Sequence, residues 1–84
     1  MFTIYVIRSA HGRRYIGYTE NLARRLNQHN TGMSRFTSRD SNWQLVYKEE
    51  YPTRAEAIGR EKWLKSGVGR DFLDRVENRQ LEGS

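Results

Sequence analysis

Two tyrosines near the start of the chain, Tyr5 and Tyr15, are the first residues whose type and spacing could support chemistry. Each lies in a β-prone stretch, and an even number of positions separates them. In a hairpin they can therefore project from one face, opposite or diagonal to each other. A cross-strand aromatic pair that only stabilises the sheet would have the same spacing. Gly17 favours a functional site, because a glycine inside a strand commonly marks the close approach of a ligand or of another backbone.

Arg25 and His29 follow on a basic segment and lie one helical turn apart. At about 100° per residue, His29 shares a face with Leu22 and Leu26, and Arg25 borders this apolar stripe. A histidine beside an apolar stripe is more often a packed structural residue, and a single arginine is usually a solvated charge. Because the two occur together and next to a pair of tyrosines, their combination favours a site.

Glu61 is the carboxylate whose position is hardest to explain by capping or exposure. It lies three residues from Ile58 and three from Leu64, so it is predicted to face the apolar stripe of its helix. An inward carboxylate costs several kcal/mol unless it is compensated. One interpretation is a structural ion pair with Arg25 or Arg60. The other is a ligand for Mg²⁺ or Mn²⁺, since such ions take one or two carboxylates and keep several waters.

Three β-strands must position the tyrosines. Residues Phe2 to Ile7 predict a first strand in which both alternating sets are largely apolar, so this strand is covered on both faces and central in its sheet. A turn around Gly12 connects it to a second strand over Arg14 to Tyr18. A third strand runs from Gln44 to Tyr51, and Pro52 ends it.

Three helices complete the predicted order β-β-α-β-α-α. The first has Thr19 as its N-cap and runs from Glu20 to about Asn30. The second opens at the capping box Thr53 to Glu56 and is closed by Gly67. A short third helix covers about Asp71 to Arg79. The sequence therefore predicts an α/β domain of the α+β type, with a three-stranded antiparallel sheet flanked by helices.

The composition limits the chain to one small domain with a basic surface. Its 84 residues carry 15 Lys and Arg against 10 Asp and Glu, a net charge of +5. Most of the basic residues are arginines, whose guanidinium groups bind phosphate oxygens in pairs and stack on bases, so the charge favours a nucleic acid as partner. The domain is assigned to residues 1–80, because Leu81 to Ser84 resembles a cloning remnant.

The composition also argues against several classes of protein. The absence of cysteine excludes a disulfide framework and a thiolate zinc site, so a metal would be held by oxygen or imidazole ligands. No apolar run approaches the ~20 residues of a membrane helix. The N-terminus also lacks the charged and apolar regions of a secretory signal. The chain is therefore predicted to be cytoplasmic and not to bind a membrane.

Further basic residues in loops and near helix ends could contact a phosphate backbone. Phe36, Trp43 and Trp63 are interleaved with them, although the tryptophans are more typical of a core or of sheet cover than of base stacking. A solvated charged face would have the same composition. The predicted nucleic-acid contacts are Arg14, Arg35, Arg39, Lys62 and Lys65.

At these positions the sequence resembles the GIY-YIG nuclease superfamily, and within it the small single-domain branch related to the N-terminal domain of the excision-repair incision subunit. Thr3-Ile4-Tyr5 stands where the family has its first Gly-Ile-Tyr, and Tyr15-Ile16-Gly17 matches the second signature. Three further segments, Arg24 to His29, Phe36 to Arg39 and Ala57 to Lys62, resemble family motifs in the same order. The resemblance covers most of the chain.

The resemblance implies hydrolysis of a DNA phosphodiester with one divalent ion, Mg²⁺ or Mn²⁺, in repair or recombination. By this resemblance Glu61 would bind the metal, Arg25 would neutralise charge on the phosphate, and Tyr5 or Tyr15 would orient or deprotonate the attacking water. His29 stands where relatives have His or Tyr near the reacting centre. A metal and a cation suit phosphoryl transfer because charge develops on the phosphate. A tyrosine with its usual pKa of ~10 would need the metal or the arginine to lower that value.

The sequence departs from the family pattern in places. Thr3 replaces the first glycine, and Tyr18 stands where the repair subunit carries a lysine. Asn78 is a loose candidate for an asparagine that some relatives add to the site. With no DNA-targeting domain attached, we expect weak sequence preference or a protein partner that supplies targeting. Two alternatives stay open: a non-catalytic nucleic-acid-binding module of the same fold, and a domain whose basic surface binds an acidic protein.

Overall fold

The computed structural model describes residues 1–33 and 37–82, with the backbone alone for residues 80–82. Within them, no helix combines the length and apolar character needed to cross a membrane. The strands form one antiparallel sheet in the order β2-β1-β3, and the predicted fold is confirmed. The elements are β1 (Phe2–Arg8), β2 (Arg14–Thr19), α1 (Leu22–Asn30), β3 (Gln44–Tyr51), α2 (Arg54–Lys65) and α3 (Gly67–Glu82).

β1 is central because both of its faces are apolar, as predicted. On one face Ile4 and Val6 pack against α2 and α3. On the other face Tyr5 and Ile7 pack against α1 and against Trp43, which is buried rather than free to stack on a base. The sheet therefore separates a larger core under α2 and α3 from a smaller cluster under α1, and the tyrosines belong to the smaller cluster.

The start of α1 differs from the prediction. Thr19 is the last residue of β2, and the N-cap is Asn21, whose side-chain oxygen accepts a hydrogen bond from the amide of Arg24 at 3.1 Å. Glu20 therefore precedes the helix instead of lying in its first turn. Asparagine caps a helix at least as well as threonine, and a β-branched threonine suits the end of a strand. The predicted end at Asn30 is confirmed.

α3 is longer than predicted and follows α2 directly. α2 begins at the predicted capping box, where the threonine hydroxyl accepts a hydrogen bond from the amide of Glu56 at 3.3 Å. Gly67 does not close α2, because Ser66 alone separates the helices and Gly67 is the first residue of α3. The helix thus begins before Asp71. It extends to Glu82, two residues beyond the predicted domain boundary at residue 80.

Gly69 explains why α3 can begin so close to α2. A Cβ atom at this position would lie 2.1 Å from the carbonyl oxygen of Trp63 and 2.5 Å from the Cα of Leu64. Both are backbone atoms, so no change of rotamer could make room. The two helices meet backbone to backbone, and the spacing of apolar residues in the sequence does not reveal such a contact.

Gly69→Ala is expected to lower the free energy of unfolding by about 3 kcal/mol, because the added methyl group forces the packed backbone apart. Gly59→Ala is the matched control, since a Cβ at Gly59 in α2 would meet nothing within 4 Å. That change should stabilise the helix by up to about 1 kcal/mol. Urea denaturation of both variants measures the difference. Equal stability of Gly69→Ala and the parent would contradict the close approach.

Candidate functional site

Tyr5 and Tyr15 project from the same face of the sheet. The register of β1 and β2 pairs Tyr5 with Gly17 and Ile7 with Tyr15. The two tyrosines are therefore diagonal neighbours, and their ring centroids are 6.2 Å apart. The prediction that they share a face is confirmed.

Gly17 provides the space that the Tyr5 phenol occupies. A Cβ atom at Gly17 would lie 2.8 Å from the Tyr5 hydroxyl oxygen and 3.0 Å from the Cε1 of Tyr15. A group does approach this glycine closely, but it is the tyrosine side chain of the neighbouring strand and not the ligand or the backbone that the sequence predicts. A larger residue here would displace the phenol.

His29 is buried beside the two tyrosines, and both of its ring nitrogens are engaged. Its ring centroid lies 5.6 Å from that of Tyr5 and 4.9 Å from that of Tyr15. Its Nε2 is 2.8 Å from the Tyr5 hydroxyl, and its Nδ1 is 2.7 Å from the hydroxyl of Thr37. Burial, with the positive charge of Arg25, lowers the pKa of His29 to about 4, so the imidazole is neutral at pH 7.

Arg25 extends from α1 to the phenols. Its Nε donates to the Tyr5 hydroxyl oxygen at 3.4 Å, and Nη1 donates to the side-chain oxygen of Gln28 at 3.0 Å. Burial acts to lower the pKa of Arg25, but its interactions with Tyr5 and Tyr15 raise it above the ordinary value. The guanidinium is only partly buried, so its charge remains accessible to a bound anion.

Tyr5 is a neutral phenol at physiological pH. Burial, the largest cause, raises its pKa to about 12, and the charges of Tyr15 and Glu61 act in the same direction. Arg25 acts to lower this pKa, as a tyrosine acting as a base would require, but burial outweighs it. In this protein Tyr5 is therefore suited to orienting a water molecule rather than to deprotonating one unaided.

Glu61 approaches the tyrosines from a helix on the other face of the sheet. Its carboxylate is nevertheless close enough to help raise the pKa of Tyr5. Its Oε1 lies 2.9 Å from the Nζ of Lys65, and its side chain is 19% exposed, which places it at the border of the core. Arg60, one partner considered for a structural ion pair, binds Glu49 instead.

A divalent ion at this site would find one protein carboxylate and would keep most of its water. Glu61 contributes one carboxylate, and among the described residues no group of three or more His, Cys, Asp or Glu side chains could hold a metal. Mg²⁺ often binds through one or two carboxylates together with waters and substrate phosphates. The site therefore fits an ion shared with a phosphate better than it fits a fully enclosed structural metal.

Comparison with known proteins identifies the family of this chain. The model of the GIY-YIG catalytic domain matches residues 1–72. The chain belongs to the GIY-YIG family. It is a family of nucleases, so the match favours nuclease activity on a nucleic-acid substrate, commonly with a divalent metal.

The relatives of this GIY-YIG domain are small UPF0213 proteins. One from Staphylococcus saprophyticus is 34% identical over 64 residues, which cover 75% of this chain and 78% of the relative. Another from Staphylococcus aureus is 30% identical over 77 residues, 90% of this chain and 94% of the relative. The solution NMR structure of a UPF0213 protein from Bacillus halodurans aligns with a TM-score of 0.55 and 26% identity, covering 92% of this chain and 86% of that one. The predicted small single-domain branch is confirmed.

A basic groove of about 380 Å³ runs along β2 of the GIY-YIG domain. It is lined by Arg14, Tyr15, Ile16, Lys65 and Arg70. Two of the predicted nucleic-acid contacts, Arg14 and Lys65, therefore lie beside a site tyrosine. Arg70 completes the set of three cations, although the sequence showed it only as one of many basic residues.

Arg14 is also held by ion pairs within the protein. It contacts Glu77 and lies 2.7 Å from Asp74, both on α3. Only 23% of its side chain is exposed. Arg14 thus joins β2 to α3, and its predicted contact with a nucleic acid competes with these pairs.

Among the described residues, two further predicted contacts do not line the groove. Lys62 and Arg39 are exposed on α2 and on the loop before β3. Arg35, like Phe36 of the loop motif, lies outside the described residues. Asn78 is exposed on α3, which packs on the face opposite to the tyrosines, so its position gives no support for a place in the site.

Thr37 is a site residue that the sequence analysis missed. It is fully buried, its hydroxyl is in contact with His29, and its carbonyl oxygen accepts a hydrogen bond from the Nε1 of Trp43 at 3.0 Å. Its place in the Phe36 to Arg39 motif was the available signal. The motif by itself does not indicate that this threonine contacts the histidine of α1.

Asp40 fixes the loop that carries Thr37 to the turn between β1 and β2. Its carboxylate accepts a hydrogen bond from the Ser9 hydroxyl at 2.5 Å and lies 2.7 Å from the Nδ1 of His11. The hydrogen bonds from Ser9 and then from His11 lower the pKa of Asp40 to about 2. The loop between α1 and β3 is therefore held at both Thr37 and Asp40.

Acidification is expected to destabilise the domain in two steps. The pKa of His29 is about 4 in the folded state against 6.5 for a free histidine. Neutral His29 therefore contributes on the order of 3 kcal/mol to the free energy of unfolding above pH 6.5, and this contribution is lost as the pH falls to 4. The pKa of Asp40, about 2 against 3.8, adds a second loss between about pH 4 and pH 2.

Urea denaturation at a series of pH values measures these two steps. His11→Asn is the control for the first step, because His11 is 77% exposed and its loss should leave the decline between pH 6.5 and 4 in place. Constant stability over that range would contradict a buried, neutral His29.

Proposed function

We propose that this domain is a divalent-metal-dependent endonuclease that hydrolyses DNA phosphodiester bonds. The observation that carries the proposal is the set of groups around the Tyr5 hydroxyl. The imidazole of His29 and the guanidinium of Arg25 contact this oxygen, and the Glu61 carboxylate acts on its pKa. A phenol and a cation in contact, with a carboxylate near enough to influence the phenol, can together support hydrolysis of a phosphodiester.

Each group has a role that its environment supports. Glu61 would hold Mg²⁺ or Mn²⁺, which when bound supplies a water of lowered pKa and neutralises phosphate charge. Arg25 is a permanent cation and is proposed to bind a phosphate oxygen. Tyr5 orients the attacking water through its oxygen, and His29 and Tyr15 hold the Tyr5 ring in position.

The groove along β2 supports a polyanionic substrate. Arg14, Lys65 and Arg70 present cations next to Tyr15, and the whole chain carries +5. We assign the groove to the phosphate backbone on the substrate strand. Contacts of this kind carry no sequence information, so we also propose that a protein partner supplies targeting, in a cytoplasmic role in DNA repair or recombination.

A nicking assay tests the proposed function. Purified protein is incubated with supercoiled plasmid, branched DNA and single-stranded DNA, each with Mg²⁺, with Mn²⁺ and with a chelator. We expect metal-dependent nicks in at least one substrate and none with the chelator. Salt-dependent binding without cleavage of any substrate would instead identify a non-catalytic module of the same fold.

Variants of Arg70 and Arg14 are expected to distinguish an effect on DNA binding from an effect on stability. Arg70 is exposed and forms no ion pair within the described part of the chain. Arg70→Ala should therefore weaken DNA binding several-fold and leave the free energy of unfolding unchanged. The slope of the logarithm of the binding constant against the logarithm of the salt concentration should decrease by about 1. Arg14→Ala should lower the free energy of unfolding by about 3 kcal/mol, since it removes a partner of Glu77, whose side chain is 6% exposed.

Fluorescence anisotropy at several salt concentrations and urea denaturation provide the two measurements. If Arg14→Ala were fully stable and bound DNA no better than Arg70→Ala, Arg14 would be a binding residue and not a structural one.

A further inference from the structure

We propose that Thr37 is a positioning residue: it fixes which nitrogen of His29 carries the proton and thereby makes the Tyr5 oxygen a hydrogen-bond acceptor toward the reacting water. The last part of this inference rests on the proposed nuclease function. Thr37 would act through His29 and Tyr5, and it does not itself need to touch the substrate.

The three residues form a buried chain of hydrogen bonds. Thr37 is 0% exposed, and His29 and Tyr5 are each 1% exposed. The hydroxyl of Thr37 is 2.7 Å from Nδ1 of His29, and Nε2 is 2.8 Å from the hydroxyl of Tyr5. Because the three side chains are almost fully buried, the direction of each hydrogen bond in this chain depends on which atom carries the hydrogen.

A neutral imidazole allows two arrangements of this chain. In the first, Nδ1–H donates to the Thr37 hydroxyl, and Nε2 accepts the Tyr5 O–H. In the second, the Thr37 O–H donates to Nδ1, and Nε2–H donates to the Tyr5 oxygen. The second arrangement turns the Tyr5 hydrogen away from His29.

The partners of Tyr5 favour the first arrangement. The Nε of Arg25 is a donor only and already directs its N–H at the Tyr5 oxygen. A second N–H from His29 would compete with it, and His29 is the acceptor found near this hydroxyl among the described residues. A phenol is also more acidic than an aliphatic hydroxyl. It is therefore the better donor to Nε2, while the Thr37 oxygen is the better acceptor for Nδ1–H.

The choice between the two arrangements sets what Tyr5 offers to a water molecule. In the first, the phenol hydrogen is held by His29, and the oxygen lone pair can accept an O–H of the attacking water. In the second, the phenol hydrogen points outward and would bind the lone pair with which the water attacks. A free neutral histidine prefers its proton on Nε2, so an acceptor at Nδ1 is needed to reverse that preference. Thr37 supplies it.

Nitrogen NMR of the histidine ring tests the assignment without any substrate. In protein labelled with ¹⁵N-histidine at pH 7, long-range proton–nitrogen spectra distinguish a protonated ring nitrogen from an unprotonated one. We expect Nδ1 of His29 to be protonated and Nε2 to be bare. Thr37→Ser should preserve this pattern, and Thr37→Val, which keeps the shape without the acceptor, should move the proton to Nε2. A proton on Nε2 in the parent protein would overturn the proposal.

Kinetics test the consequence for the reaction. We expect Thr37→Val to lower kcat roughly 10- to 100-fold with KM unchanged, and Thr37→Ser to restore most of it. An unchanged kcat in Thr37→Val would overturn the positioning role. If Thr37→Val fails to fold, the parent spectrum and the Thr37→Ser variant decide the question. If no DNA is cut at all, the proposed function fails, and the ring spectra alone support or overturn the tautomer.

Discussion

Glu61→Gln is expected to reduce metal-dependent DNA cleavage by about 10³-fold. Removing one group that stabilises charge in a transition state typically has an effect of this size. The amide keeps the shape of the side chain but removes the negative charge that would hold the ion. The side chain lies at the border of the core, and its partner Lys65 is 52% exposed. Loss of this ion pair should therefore change stability by less than about 1 kcal/mol.

Glu56→Gln is the matched control for Glu61→Gln. Glu56 lies on the same helix, is exposed, and has an ordinary place in the first turn of α2. Its change should leave cleavage within about twofold of the parent, because surface substitutions away from special contacts have small effects. Titration with Mn²⁺ should show that only Glu61→Gln shifts the metal dependence. Full activity of Glu61→Gln would exclude the carboxylate as the metal ligand.

Tyr5→Phe is expected to lower kcat by about 10²- to 10³-fold, and Tyr15→Phe by about tenfold or less. The Tyr5 hydroxyl contacts His29 and Arg25 and is influenced by the Glu61 charge, whereas the Tyr15 ring mainly packs against His29. Resemblance to the family leaves either tyrosine as the one that handles the water. The hydrogen bonds of this protein favour Tyr5.

Single-turnover cleavage of both variants decides between the tyrosines. Thermal unfolding provides the control, because Tyr5→Phe leaves two polar partners less well satisfied and could lose some stability. Activities are therefore compared well below the unfolding temperature of each variant. A larger loss in Tyr15→Phe than in Tyr5→Phe would transfer the proposed role to Tyr15.

The loop between α1 and β3 connects the chemistry to the acid sensitivity of the fold. Thr37 contacts His29, and Asp40, in the same turn, is bonded to Ser9 of the β1–β2 turn. The acidic conditions that protonate His29 should therefore weaken the same chain of hydrogen bonds that orients Tyr5. Stability is expected to decline from about pH 6.5, where His29 of the unfolded chain begins to bind a proton, and cleavage nearer pH 4, where His29 of the folded protein does so.

Local patterns in the sequence were sufficient for the type and order of the elements, though not for every helix boundary, and for the hairpin half of the site. The alternation of side chains in strands placed Tyr5 and Tyr15 on one face, and two apolar faces made β1 central. Helical periodicity placed Arg25 and His29 at the apolar stripe of α1. These features depend on residues close together in the chain, where backbone geometry alone sets which side chains are neighbours.

The contacts that complete the site depend on residues far apart in the chain, and the tertiary structure decided them. Packing of α2 beside β2 lets the Glu61 carboxylate act on Tyr5 from across the sheet. The fold also pairs Arg14 with α3 and brings Thr37 to His29. No periodicity encodes these contacts, because each depends on how the elements pack. Gly69 is a further example, since only the packing of the two helices shows that this position has no room for a side chain.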